Sequence, residues 1–370
     1  MKPQRLKSID IFRGLCMAWM VLNHLIDWWL TNDFSWLHNV TIMILDPIGA
    51  SGFLFVSGVS ITISYRKNLF RASTSKDYNK KILKNSYFFR AFFLFIIAIL
   101  YNISISIVLV NPSYIWTWFI LLTAAVSMFM VWPLLYSSKL LRIIIGVLII
   151  IANQFLMMVL LPFRGEFNIN GFLYHILFHN IFQDPILSFF PFFLFGTVFG
   201  DVLFDSYLNN ETADKKQDLK NKLLIPSIII GIFLIILGIL IKFPEFLMRQ
   251  SFSWIIYAIG IETLFLSILL LFEKFVMLNV KKSYKLLFYY SYYSLTVYLS
   301  HYLLYFVFLG GLNPYNIWFV ILATFILIGL LLRFIFRKFQ SKASVKILIA
   351  RLSLKFAFKI EKKRQNNTKR

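Results

Sequence analysis

Long apolar runs almost free of charge constrain this chain more than any other feature. Phe92 to Leu100, Leu223 to Ile241 and Ile317 to Leu332 are such runs, and a helix needs about 20 such residues to cross the hydrocarbon of a bilayer. Composition agrees, since 59% of the 370 residues are hydrophobic and only 15% are charged. A water-soluble domain needs more polar surface than that. Reading between polar, proline and glycine punctuation places spans near 9–30, 48–65, 86–108, 114–136, 140–162, 185–204, 223–243, 252–272, 286–309 and 315–336. The expected fold is all-α, a polytopic membrane protein of about ten transmembrane helices.

The formal net charge of +22 does not point to nucleic acid, because the charges sit between apolar runs instead of covering one soluble face. They cluster at Lys2, Arg5 and Lys7, at Arg66 to Lys84, at Lys139 and Arg142, at Lys215 to Lys222, at Lys274 to Lys285, and after Arg333. The alternate loops hold only Arg164, Lys242 and Arg249. Positively charged loops stay in the cytoplasm beside anionic lipid, so both termini are expected inside. No small-residue cleavage site follows the basic N-terminus and Arg13 interrupts it, so the first run reads as a retained span. Cys16 is the only cysteine, which excludes a disulfide framework and a CxxC site.

Residues 1–340 read as one transmembrane domain, without internal repeats. Residues 341–370 form a basic cytoplasmic tail in which Val345, Leu348, Leu352 and Phe356 recur at helical spacing among Lys346, Arg351, Lys355 and Lys359. That pattern suits an interfacial helix on anionic lipid, or a solvated basic tail.

Ionisable groups inside a bilayer cost several kcal/mol unless they face an interior site, so they are functional candidates. The first span holds most of them: Asp10, Arg13 and His24. Eleven residues separate Arg13 from His24, three turns plus about 20°, which places both on one stripe about 16 Å apart along the axis. Asp10 lies within about 40° of that stripe. Such spacing fits a ligand with a phosphate-bearing head and a distant thioester, of which acyl-coenzyme A is the type. The planar fork of Arg13 would hold phosphate near the cytoplasm, and His24 would act on the thioester and acceptor as general base or as acyl carrier. A snorkelling anchor and an interhelical hydrogen bond are the structural alternatives for the two residues. Their common stripe with Asp10 favours function.

His301 falls in the ninth run at the depth of His24, on a face shared with Ser294 and Tyr298, so that these groups could line one polar cavity. His38 lies beside its mouth in the next loop and could serve an external acceptor. Asp46-Pro47 matches a helix N-cap followed by proline at the first position. The small residues from Gly49 to Ser60 favour close helix packing over room for a slender ligand. His175 and His179 lack a third ligand of suitable spacing, so no metal is expected. Arg90 and Glu262 are candidates for a structural ion pair.

Ser8 to Gly14, Met20 to His24, Phe53 to Gly58, and Ser294 to Tyr298 with His301 together resemble the transmembrane acyltransferase superfamily. The resemblance is nearest to the heparan-alpha-glucosaminide N-acetyltransferase catalytic-domain family and its microbial relatives. The Arg13 to His24 spacing also resembles the arginine-x10-histidine signature of the acyltransferase-three family. This implies ten or eleven helices that carry an acyl group, usually acetyl, from cytoplasmic acyl-coenzyme A to a sugar on the far side. Arg13 and His24 take the signature positions. The lysosomal enzyme's pattern has asparagine at the place of His24 and a histidine further along, for which His38 is the nearest counterpart, so the choice of base between His24 and His38 stays open.

The expected protein is a multi-pass enzyme of the cell membrane. It would be an O- or N-acetyltransferase using acetyl-coenzyme A, with a sugar or glycoconjugate acceptor, anionic lipid at its cytoplasmic face and no nucleic acid. Catalytic candidates are His24, Asp10, His301 and His38; donor-binding candidates are Arg13, Ser294 and Tyr298. A transporter or flippase is the rival class, against which stand the absence of repeats and the scarcity of intramembrane charge.

Overall fold

The computed structural model describes residues 6–75, 77–179, 183–208, 214–246, 248–275 and 284–368. Lys2, Arg5 and Lys76 of the basic clusters, and residues 276–283, lie outside them. The first helices are α1 (Lys7–Trp29), α2 (Ser35–Leu45), α3 (Ala50–Thr74) and α4 (Lys80–Val108). Next come α5 (Ile120–Leu134), α6 (Lys139–Leu160), α7 (Ile169–Leu177) and α8 (Ile186–Leu203). They are followed by α9 (Lys215–Leu219), α10 (Ile225–Ile241) and α11 (Phe252–Lys274). The C-terminal third holds α12 (Lys285–Tyr292), α13 (Ser294–Ser300), α14 (Tyr305–Phe308), α15 (Ile317–Lys338) and α16 (Val345–Thr368).

The protein is an all-α, multi-pass membrane protein. Nine helices among the described residues are long and apolar enough to cross a bilayer, and they coincide with nine of the ten expected runs. The exception is the run near 286–309, which divides into α12, α13, a 3₁₀ turn at His301–Leu304 and α14. Hydropathy averages over a window and cannot register a local change in the hydrogen-bond ladder. Spans differ sharply in what surrounds them: 78% of the apolar window of the α8 span is buried within protein, against 17% for α15. The exposed Phe319, Leu322 and Leu327 of α15 are therefore the surface that meets lipid tails.

Contacts divide the chain into two compact units. The first comprises Met1–Val56, Glu211–Ile236 and Tyr257–Leu348. Here α1 lies along α12 so closely that a Cβ on Gly14 would collide with the main-chain carbonyl of Leu287. The backbone N–H of Ser8, one of the donors that a helix start leaves unpaired, donates to the Glu273 carboxylate at 2.7 Å. Phe12 meets Phe265 edge-on at 5.4 Å. Asp46-Pro47 opens a 3₁₀ turn, Asp46–Ile48, in which the Asp46 main-chain carbonyl accepts from Gly49 N–H at 2.8 Å, and α3 proper begins at Ala50.

The second unit comprises Ser57–Asn210, Leu237–Ile256 and Ile349–Arg370. Its small residues serve packing: Gly58 faces the backbone of Phe193, and a Cβ on Gly200 would stand 2.8 Å from the carbonyl of Val59. Arg142, expected in a loop cluster, is instead buried, with its guanidinium on Asp201 and on Thr197 Oγ1 at 3.1 Å. Arg66 joins at 3.8 Å from Asp201 and 2.5 Å from Asp205, which also receives Lys139 at 2.6 Å. Three cations thus share two carboxylates.

The tail is one long helix. Ile349, Ser353, Ala357 and Glu361, spaced at i, i+4, form its buried stripe, while Leu348, Leu352 and Phe356 are partly exposed. Asn79 Nδ2 donates to Glu361 Oε1 at 3.2 Å, Phe356 packs on Phe89 and Phe93, and Phe358 meets Tyr78 edge-on.

Two substitutions test this packing in thermal melts of the detergent-solubilised protein. Arg142→Ala leaves the buried Asp201 carboxylate with only the more distant Arg66 beside it and is expected to cost about 3 kcal/mol. Gly14→Ala forces α1 from α12 and is expected to cost about 1–3 kcal/mol.

Candidate active site

α1 is continuous from Lys7 to Trp29, so its stripe is real geometry. Near its C-terminal end, the half-buried His24 ring stands 5.1 Å from that of His301. Trp28, one turn on, stacks against both, at 4.8 Å from His24 and 5.6 Å from His301. Tyr302 and Tyr305 meet the Trp28 ring edge-on at 5.5 and 5.4 Å.

His301 is only 5% exposed and its Nδ1 bonds the carbonyl of Tyr298. A carbonyl only accepts, so Nδ1 carries the proton and Nε2 presents a lone pair. The same bond occupies a carbonyl of the preceding turn where the helix tightens into its 3₁₀ segment. The segment is clamped to α1. Trp29 Nε1 donates to Leu304 O at 2.9 Å, Gly310 N–H to Trp28 O at 2.8 Å and Leu312 N–H to Trp29 O at 2.9 Å. Gly310 has φ +62, a conformation that side chains disfavour. Thr31 N–H returns a bond to Leu312 O at 2.9 Å.

A second pair lies about one helical turn, ~4.5 Å, further along the axis than His24. Asp27 Oδ1 is 3.5 Å from His38 Nδ1, which α2 supplies. His38 Nε2 is buried without a hydrogen-bond partner. Burial pushes His38 below the ordinary histidine value, against the smaller upward pull of the Asp27 and Asp46 carboxylates. Its ring is therefore held neutral, with carboxylate on one side and an unused nitrogen on the other.

At the opposite end of α1, buried Asp10 accepts from Ser291 Oγ at 3.1 Å. Arg13 is half-buried one turn further on. Fourteen residues place Asp10 about 21 Å from His24 along the axis, too far for direct proton exchange. Ser294 is buried about two turns before His301 and stands outside the ring cluster, and Tyr298 reaches it with its ring 5.4 Å from His301.

The model of the acyltransferase-three family, described as an acyltransferase domain, matches residues 6–354. The chain belongs to that family. Among curated proteins none matches it. In this membrane acyltransferase Arg13 and His24 lie on one face of α1, and His301 is brought to His24 from more than 270 residues away in sequence.

Residue types alone did not single out Asp27 or Trp28. Asp27 sits three residues after His24, and its i, i+3 position was the available signal. Trp28 reads as one more aromatic in an apolar run. Glu262, expected beside Arg90, is fully buried in the first unit, where Ser51, Cys16 and Asp46 are the groups around it. His179 Nε2 lies 3.0 Å from the carbonyl of Ser113 and 4.6 Å, ring to ring, from His175.

The buried neutral state of His38 has a signed consequence. Its folded pKa lies below the unfolded value, so its contribution to stability is full above about pH 6.5 and is lost as pH falls. Asp27→Asn removes an upward pull and is expected to move the His38 titration, followed by nuclear magnetic resonance, to lower pH. An unmoved titration would remove Asp27 as its partner.

Proposed function

We propose that this acyltransferase moves an acyl group, acetyl first, from acyl-coenzyme A at the lysine-rich face to a sugar or glycoconjugate at the other face of the cell membrane. The observation that carries this reading is the stripe of α1, with Arg13 about 16 Å from a His24 that meets His301 ring to ring. An extended donor spans that distance with its phosphates toward Arg13 and its thioester toward His24.

In the proposed step, a histidine takes the proton of the acceptor's hydroxyl or amine as its oxygen or nitrogen attacks the thioester carbonyl. The new C–O or C–N bond forms, the C–S bond breaks, and the departing thiolate receives the proton. His24 is the preferred base, with the fixed Nε2 lone pair of His301 beside it. The faces of Trp28, Tyr302 and Tyr305 offer an apolar platform with polar tips, suited to a sugar ring. The resemblance to heparan-alpha-glucosaminide N-acetyltransferase makes an amino sugar the first acceptor to try. A second reading places the base at His38, favoured by its Asp27 partner and its buried, unpaired Nε2. The exposed Leu352 and Phe356 beside Lys355 and Lys359 suit α16 to anionic lipid at the cytoplasmic face.

Acetyl-coenzyme A binding and acetyl transfer are the measurements. Arg13→Ala is expected to abolish binding; His24→Ala and His301→Gln are expected to keep it and lower kcat by about 10²-fold or more. Loss of kcat in His38→Gln with full activity in His24→Ala would move the base to His38. Absence of binding in wild type would defeat the donor assignment and favour transport.

A further inference from the structure

The second unit contains a cavity of about 200 Å³ that the acyl-transfer reading does not use. Its walls come mainly from α3, α4 and α16, with Met128 of α5 and Tyr78 completing them. Two arginines line it: Arg71, exposed at the end of α3, and Arg90, half-buried ten residues into α4. The Arg71 guanidinium lies 4.8 Å over the ring of Tyr78, which holds it in place. Neither arginine has a carboxylate partner among the described residues, whereas Arg66 and Arg142 in the same unit are both paired with aspartates. Ser64 and Ser86 add hydroxyls to the wall, and Ser353 of α16 closes one side.

We propose that this cavity is a binding site for a phosphate-bearing head group. Two guanidinium groups present planar forks that match phosphate oxygens, and a phosphate monoester carries close to two charges at neutral pH, which balances both. A carboxylate would leave one cation uncompensated. Size narrows the ligand further. The volume exceeds several waters at ~30 Å³ each but falls below the ~300–1,000 Å³ of a pocket that encloses a whole small molecule. The site therefore takes the head, and the remainder of the ligand lies outside. Because α16 contributes a wall through Ser353 and Leu354, the C-terminal helix is part of the site.

The phosphate can belong to a soluble nucleotide or to a phospholipid, and binding distinguishes them. Full-length protein in a non-ionic detergent is titrated with adenosine 3′,5′-bisphosphate and, separately, with dioleoylphosphatidic acid, whose phosphate is also a monoester, for wild type, Arg90→Gln, Arg90→Lys and Ser353→Trp. The expected result is that one probe binds wild type and that Arg90→Gln weakens it at least tenfold. Arg90→Lys, which keeps the charge, retains most of the affinity, and Ser353→Trp, which fills the cavity, loses it. Nucleotide binding with this pattern assigns a soluble ligand; lipid binding with this pattern assigns a membrane one. If neither probe binds, or if both Arg90→Gln and Ser353→Trp bind as wild type does, the site is overturned. The readout is binding alone, so it stands apart from any failure of transfer at His24. Should Arg90→Gln not fold, Ser353→Trp decides.

Discussion

Hydrocarbon offers no hydrogen bonds, so the backbone polar groups of the spans must find their partners within the protein. Long uninterrupted helices are the result, and the few places where the ladder is disturbed are the places where side chains step in. The stretch around His301 is the clearest case. The helix tightens there, an imidazole proton covers a carbonyl of the preceding turn, and backbone bonds from Gly310 and Leu312 tie the segment to the end of α1. The proposed chemistry sits where the general rule is relaxed and locally compensated.

Charges obey the same economy in two different ways. Arg66, Lys139 and Arg142 close onto Asp201 and Asp205, a network whose members satisfy one another and fix helices together. Arg71 and Arg90, in the same unit, line open space. In the first unit Asp10 is bound to Ser291 while the Asp27 and His38 pair leaves one nitrogen unused. Paired groups hold structure, and groups with spare hydrogen-bonding capacity beside a cavity or a ring cluster are the ones available to ligands.

The stripe of Arg13 and His24 was legible because helical periodicity is a local property of one segment. The depth match of His24 with His301 was legible too, since hydropathy places each residue relative to the bilayer. The Asp27 and His38 pair was not, because α2 folds back from a loop that hydropathy treats as featureless. The tail was legible only in part. Its apolar spacing at Leu348, Leu352 and Phe356 stands out in the sequence, whereas the stripe buried against protein, Ile349, Ser353, Ala357 and Glu361, does not, since small side chains permit the close helix approach that transfer energies do not score.

The sequence by itself determined that this is an all-α membrane protein, where nine of its spans run and which face of α1 bears ionisable groups. These follow from the energy of moving side chains between water and lipid and from the 3.6-residue turn, both of which are additive along the chain. Tertiary structure alone decided that Trp28 stacks against two histidines that also meet each other, that Arg142 is buried against Asp201, and that α16 closes a cavity lined by Arg71 and Arg90. Those outcomes depend on which helices meet and at what distance, and no single segment carries that information.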